Sequence, residues 1–255
     1  MAVVDFSLTN KVAIVTGGSR GIGRSIAIGL AEAGADVAIA ARKPEALSEA
    51  VEAVSATGRR GVAIPTNVRR QGDLRNLVDE TLRQLGRLDI LVNNAGTTPV
   101  MGPVQDIDEG AWDVIMNTNV KSMFFLSTFA REAMLQHGEG GNIVNVSSVG
   151  GFRASDVIGG YSVSKAAVIM LTQVCAKAWG ADGIRVNCIA PGLIKTEFAR
   201  ALWENPEILK ASTREAALGR IGEPDEMAGA VVYFASPASS FVTGQTLVLD
   251  GGQLV

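Results

Sequence analysis

Short apolar runs recur along the chain, and between them apolar residues fall three or four positions apart. Val12-Ala13-Ile14-Val15 is the first run, and Ile26, Ala27, Leu30 and Ala31 behind it take helical spacing. The alternation continues with a run at 35–40 and a helix face of Leu47, Val51 and Val54, then a run at 62–64 and a face of Leu74, Leu77, Val78, Leu82 and Leu85. Further runs stand at 88–92, 142–146, 184–189 and 246–250, separated by helical stretches at 112–134, from Tyr161 to about Trp179, and from Pro224 through Met227, Val231 and Phe234. The runs are apolar throughout, as expected of strands covered on both faces. Strict alternation of seven strands with helices predicts an α/β protein. Its parallel sheet is doubly wound, with helices on both faces and the ligand site at the carboxyl ends of the strands.

One stretch breaks the rhythm. Residues 193–219 follow the sixth strand and are too many for an ordinary connection. They carry Phe198, Leu202 and Trp203 among Lys195, Glu197, Arg200 and Glu204. The expectation is an amphipathic lid whose apolar side, with Val100, Val149 and Phe152, lines a pocket for a medium-sized apolar or aromatic ketone. Packing of Trp203 against the core or another subunit is the competing reading.

The strand ends carry the candidate chemistry. The first strand runs into Thr16-Gly17-Gly18-Ser19-Arg20-Gly21-Ile22-Gly23 and then a helix. Glycines let backbone turn sharply and approach a pyrophosphate, and the helix amino terminus offers unpaired N–H groups and a positive dipole end. The spacing departs from the literal one-three-six glycine fingerprint, so by itself the turn could equally serve tight packing. After the second strand stand Ala41 and Arg42, where an acid would hold a ribose 2′-hydroxyl; an Arg suits a 2′-phosphate instead. The fourth, fifth and sixth strands end in Asn93-Asn94-Ala95-Gly96, Ser147-Ser148 and Pro191-Gly192.

Tyr161-Ser162-Val163-Ser164-Lys165 opens the apolar helix that begins after the fifth strand, placing Tyr161 and Lys165 four apart on one face. A phenol titrates near ~10, and a nearby cation lowers that value, which would make the pair a tunable acid or base. Taken alone the pair could also be a chance meeting on a helix surface. Asn119, inside the helical stretch at 112–134, is mildly unfavourable there and calls for a buried partner or a bend.

Composition removes several function classes. Among 255 residues, 47% are hydrophobic and 19% charged, with a net charge of −3 and basic residues scattered. That is no electrostatic footprint for nucleic acid. No apolar segment is long enough to span a bilayer, and Met-Ala-Val-Val-Asp-Phe-Ser does not read as a secretory leader. The two cysteines, Cys175 and Cys188, read as buried free thiols in a reducing compartment. The single histidine, His137, sits among turn formers and is expected at the surface, so no metal site is expected.

Assembled in order, these motifs resemble the short-chain dehydrogenase/reductase family in its single-domain branch, over nearly the whole of residues 1–255. The turn from Thr16-Gly17 to Gly23 looks like that family's cofactor turn, Asn93-Asn94-Ala95-Gly96 like its sheet-stabilising motif, and Pro191-Gly192 with Thr196 like its nicotinamide-side loop. Tyr161-x-x-x-Lys165, with Ser148 thirteen residues earlier and Asn119 upstream, looks like its catalytic tetrad. Within the family, 191–198 and Leu202-Trp203 look most like NADPH-dependent carbonyl reductases of the peroxisomal type. Their tail is absent from Gln253-Leu254-Val255, and a cytoplasmic location is the expectation.

The resemblance implies a Rossmann-type fold, a homotetramer, and a cofactor that is NADP(H) by preference, with NAD(H) possible. It implies that Gly17, Ser19, Arg20, Gly21, Ile22, Gly23, Arg42, Asn67, Val68, Asn94, Ala95, Gly96, Tyr161, Lys165, Pro191, Gly192, Ile194 and Thr196 bind that cofactor. Tyr161 would exchange a proton with a carbonyl or alcohol oxygen, and Lys165 would hold the ribose and lower the Tyr161 pKa. Ser148 would bond the substrate oxygen and Asn119 would hold a relay water. With Ser148, the substrate would meet Phe152, Phe198 and Trp203. The activity implied is interconversion of a ketone and a secondary alcohol. A 3-oxoacyl thioester reductase and a catalytically silent dinucleotide-binding sensor or scaffold are the alternatives.

Overall fold

A computed structural model describes residues 4–255; Met1 to Val3, the first part of the stretch read for a leader, lie outside the described residues. Strand β1 (Val12–Thr16) leads into α1 (Gly21–Glu32), and β2 (Asp36–Ala41), α2 (Glu45–Ser55), β3 (Gly61–Pro65) and α3 (Gln71–Leu85) follow. Next come β4 (Ile90–Asn93), α4 (Glu109–Met116), a π turn over Asn117–Lys121, α5 (Ser122–Leu135), β5 (Gly141–Val146) and α6 (Gly159–Trp179). The chain closes with β6 (Ile184–Pro191), α7 (Arg200–Trp203), α8 (Pro206–Glu215), α9 (Ala228–Ala235) and β7 (Thr246–Leu249).

The strands form one parallel sheet in the order β3-β2-β1-β4-β5-β6-β7. This is the doubly wound, seven-stranded parallel arrangement that the apolar pattern predicts, and the Rossmann-type fold that the resemblance implies. Winding reverses between β1 and β4, and their carboxyl ends splay to leave the crevice in which such sheets bind ligands. All five residues of β1 are buried, and alternate side chains serve opposite layers. Ala13 and Val15 join Ile26, Leu30, Leu47, Val54, Val231 and Phe234 on one side, whereas Val12 and Ile14 join Leu74, Leu77, Leu126, Phe129 and Cys175 on the other. Each fully buried Leu or Ile contributes about 1.5–3 kcal/mol, so both helical layers are needed to hold β1 central and its glycine turn in place.

Several boundaries differ from the pattern. The second strand begins at Asp36 and extends through Ala41, because Ala41 still pairs with Pro65 of β3. The fourth begins at Ile90 and takes in Asn93, which pairs with Asn145. Both cysteines are free and buried. No helix among the described residues is long and apolar enough to cross a membrane.

His137 is a correction to the surface reading. Its side chain is 18% exposed, and Nε2 lies 3.0 Å from the Leu88 carbonyl oxygen. A turn brings it onto the amino-terminal end of β4, with Asp89 and Glu139 close by. Lys11 and Arg87 pair with both of these carboxylates there, at 2.6–3.3 Å. Those cations do the neutralising that a metal ion would do, at the end of the sheet opposite the crevice.

Candidate active site

Three loops meet at the β1/β4 crevice. Gly17 and Gly21 adopt left-handed φ angles of 64° and 52°, which favour glycine. At Gly23 the reason is space, because a Cβ there would stand 2.3 Å from the Gly17 carbonyl oxygen and 2.4 Å from Asn94 Nδ2. Asn94 closes the turn, its Nδ2 donating to the Thr16 and Gly17 carbonyl oxygens at 2.9 and 3.2 Å. Thr16 Oγ1 accepts from the Asn94 and Ala95 N–H groups at 3.0 and 3.1 Å and donates to Val92. The ends of β1 and β4 are thereby one unit.

Helix α1 starts at Gly21 with no acidic residue in its first turn, so its positive end faces the crevice uncompensated. Ser19 lies inside the turn, and the side chains of Arg20 and Arg42 are exposed beside it and after β2. Asn67 and Val68 follow β3. The Asn67 N–H donates to Asp73 at 2.9 Å and its Oδ1 accepts from the Arg69 N–H at 3.2 Å, stiffening the entry to α3.

On the far side, Pro191 ends β6 and Gly192 presses against Asp250, where a Cβ would meet its backbone at 2.9 Å. Thr196 reaches back to the glycine turn, close to Gly21. Ile194 behaves differently from a side-chain ligand: its side chain is buried in the core and its backbone pairs with Gly222. Ile22 and Val68 also pack on the core. What these three offer a ligand is backbone.

Helix α6 brings Tyr161 and Lys165 over the end of β5. Lys165 is 3% exposed, and Nζ donates to the Val146 carbonyl oxygen at 2.8 Å while lying 5.4 Å from the Tyr161 ring centre. Gly96 shares this point, since a Cβ on it would lie 3.5 Å from Lys165 Nζ and 3.6 Å from Asn119 Oδ1. Ser148 Oγ accepts from the Gly150 N–H at 3.1 Å.

Electrostatics here differ from the sequence expectation. Burial pushes the Tyr161 phenol up to about 12, with the Ser148 hydroxyl opposing the shift. Burial pulls the Lys165 ammonium down to about 8, with Cys188 opposing. The expectation from the neighbouring cation is a lowered phenol pKa, whereas burial is the largest cause here and the shift is upward.

Asn119 sits in the π turn and is fully buried. Its Oδ1 accepts from the Thr97 N–H at 2.8 Å, and its Nδ2 donates to the Thr97 carbonyl oxygen and Ser164 Oγ, each at 2.9 Å. Both amide protons are therefore in use, so the Asn119 side chain has no N–H left for a relay water. Single π turns inside α-helices are frequent at functional sites.

Phe198 stands over Tyr161, their ring centres 6.2 Å apart and inclined by 42°. Phe198 and Phe152 are 53% and 51% exposed at the crevice mouth. The half-buried Trp203 turns its indole N–H onto the Thr196 carbonyl oxygen at 2.8 Å, bracing the loop from within. Glu215 at the end of α8 pairs with Arg153 at 2.9 Å and accepts from Gln253 at 3.2 Å.

Two buried hydroxyls escaped the sequence reading. Ser147 Oγ donates to the Lys165 carbonyl oxygen, and Ser164 Oγ donates to that of Tyr161, both at 2.7 Å. Both lie inside the quoted strings at 147–148 and 161–165. Nothing in a string distinguishes a buried serine from a surface one.

A doubly wound sheet whose switch point gathers a glycine cradle, an open helix terminus and a phenol beside an ammonium defines a dinucleotide-dependent oxidoreductase. The glycines at 17 and 23 are required by the turn's own close packing against Asn94 and Ala95, and that packing leaves the α1 amino terminus open toward the crevice. The chain belongs to the short-chain dehydrogenase/reductase family: the family model described as enoyl-(acyl carrier protein) reductase matches residues 17–253. The dehydrogenase/reductase SDR family member 4 of Oryctolagus cuniculus is 40% identical over 96% of this chain and 94% of its own. A gluconate 5-dehydrogenase from Burkholderia cenocepacia, solved with NADP and tartrate, superposes with a TM-score of 0.93 at 35% identity, over 99% of this chain and 98% of that one. A 7α-hydroxysteroid dehydrogenase solved with NADH and 7-oxo glycochenodeoxycholic acid gives 0.94 at 33% identity, over 99% and 97%. The protein is an NAD(P)-dependent dehydrogenase/reductase.

Proposed function

We propose that the protein interconverts a ketone and a secondary alcohol with NADP(H) as preferred cofactor, and that its substrates are medium-sized apolar or aromatic ketones. The observation that carries the substrate class is the pair of half-exposed rings at the crevice mouth, Phe152 and Phe198, with Phe198 over Tyr161. An apolar substrate sliding between them removes their surface from water, at about 25 cal/mol per Å². The exposed guanidiniums of Arg20 and Arg42, with Ala41 where an acid would repel phosphate, support the cofactor preference.

The glycine turn and the α1 amino terminus would hold the pyrophosphate, and Gly192 and Thr196 would lie on the nicotinamide side. The bound cofactor supplies or accepts the hydride. Tyr161 gives its phenol proton to the carbonyl oxygen during reduction and takes it back during oxidation. Ser148 bonds that oxygen and stabilises the charge developing on it. Lys165 has one N–H on Val146 and would offer the others to ribose and phenol. Residues 193–219 act as the lid that closes over the substrate.

The copies assemble as a homotetramer. Phe124 on α5 and Val163, Met170 and Val174 on α6 are large, apolar and exposed, and such surface is characteristic of contact faces. The location we infer is cytoplasmic.

A second reading, reduction of 3-oxoacyl thioesters, draws on the acyl-carrier description of the matching family model. The deciding measurement follows loss of the reduced-nicotinamide absorbance, with NADPH and with NADH, across aromatic ketones, keto sugar acids and 3-oxoacyl thioesters. Turnover confined to polar or thioester substrates defeats the apolar assignment. Cofactor binding without turnover on the entire panel favours a silent dinucleotide-binding protein.

A further inference from the structure

Ser164 occupies a position in the site that proton accounting makes unambiguous. It is fully buried inside α6. The amide of Asn119 has two protons, and they go to the Thr97 carbonyl oxygen and to Ser164 Oγ. Ser164 Oγ has one proton, and it goes to the Tyr161 carbonyl oxygen. A hydroxyl can accept and donate at once, so only one ordering satisfies every group: Asn119 donates, Ser164 accepts and passes its own proton on to the Tyr161 backbone.

The consequence lies in the first turn of α6. Tyr161 is the third residue of that helix, where the backbone has few intrahelical restraints. A serine that bonds back to the carbonyl three residues earlier bends and fixes a turn. Ser147 Oγ grips the Lys165 carbonyl oxygen on the same helix, so the Tyr161–Lys165 segment is held at both ends by buried hydroxyls. The grip on Lys165 comes from β5. The grip on Tyr161 comes, through Asn119, from the π turn and from Thr97, the residue after Gly96, on which a Cβ would lie 3.5 Å from Lys165 Nζ.

We propose that Ser164 is the positioning residue for the Tyr161 phenol, carrying the geometry of the π turn across to the proton donor. It touches neither substrate nor cofactor. It acts by fixing the backbone from which the phenol projects, and its role rests on the reading of Tyr161 as the proton donor.

The test compares wild type, Ser164→Ala and Tyr161→Phe on whichever panel ketone gives turnover. Ser164→Ala is expected to lower kcat about tenfold, the scale of a modest misplacement of a reacting group. KM and the NADPH dissociation constant, read by fluorescence titration, stay within about twofold. If Ser164→Ala does not fold, Ser164→Cys fills the same space with a weak donor and acceptor, and the same three readouts are taken on it.

An unchanged kcat, or a cofactor affinity that falls in step with kcat, overturns the proposal. So does failure of both variants to fold, which makes Ser164 a residue of the fold alone. An inactive Tyr161→Phe beside a normal Ser164→Ala removes Ser164 only. An active Tyr161→Phe removes the reading beneath it.

Discussion

Lys165 turns its ammonium onto the carbonyl oxygen of Val146, 2.8 Å away at the end of β5. The bond fixes a flexible four-carbon stem against the sheet and leaves two N–H groups to aim elsewhere. It also keeps a cation buried, and burial draws its pKa down to about 8.

That depression carries a stability signature. Between about 8 and the ordinary value of 10.5 the unfolded chain binds a proton that the folded chain has released, so stability rises with pH across that window and is flat below it. Lys165→Met lacks the group. In cofactor-free protein the melting temperature of wild type relative to Lys165→Met is expected to rise from pH 8 to 10, and a constant difference by differential scanning fluorimetry contradicts it. The same variant is expected to lose both NADPH affinity and rate.

Tyr161→Phe deletes one hydroxyl from a pocket whose other bonds are made by backbone and by Asn119, Ser147 and Ser164. The expected loss in turnover is about 10²–10⁴-fold, the usual worth of a positioned acid or base, with NADPH affinity unchanged. In wild type, alcohol oxidation climbs as pH rises toward the phenol pKa and ketone reduction declines, because oxidation needs the phenolate and reduction the phenol. A variant keeping more than half the wild-type rate sinks the role assigned to Tyr161.

Strand content and winding were legible because a doubly covered sheet demands unbroken apolar runs, and β1 shows why: Val12, Ala13, Ile14 and Val15 face two different cores. The glycine cradle was legible in type, since only glycine tolerates the contact at Gly23. What stayed hidden depends on three-dimensional proximity. His137 looked solvated because its neighbours form turns, yet the turn folds back onto Leu88. A string shows the cation beside Tyr161 and conceals the burial that raises its phenol in the cofactor-free protein. Ser147 and Ser164 carry no signal until the π turn and β5 are seen beside them.

Arg42 stands exposed after β2, with Ala41 and not an acid before it. Its fork suits a 2′-phosphate, and charge-assisted bonds of that kind are roughly twice as strong as neutral ones. Arg42→Ala is expected to weaken NADPH by about tenfold or more while leaving NADH within about twofold. Ala41→Asp combined with Arg42→Ala should turn the preference toward NADH. Equal weakening of both cofactors in a binding titration rejects the assignment.

Trp203 and Phe198 belong to the same segment yet do different work, and kinetics can separate them. The Trp203 indole bonds the Thr196 carbonyl oxygen, whereas Phe198 lies over Tyr161 with half its surface in solvent. Phe198→Ala removes apolar area from the mouth alone, so it is expected to raise KM for bulky aromatic ketones several-fold and leave small ketones and NADPH affinity unchanged. Trp203→Phe keeps a ring and loses the N–H, releasing the start of residues 193–219, the segment proposed to close over the substrate. A neutral hydrogen bond contributes about 0.5–1.5 kcal/mol, or roughly two- to tenfold in an equilibrium. Its expected effect is a rise in KM for every ketone, large or small, because lid closure and not pocket shape is impaired. If Trp203→Phe instead changes only the bulky substrates, the indole is itself pocket wall, and if it changes none, residues 193–219 do not close over the substrate.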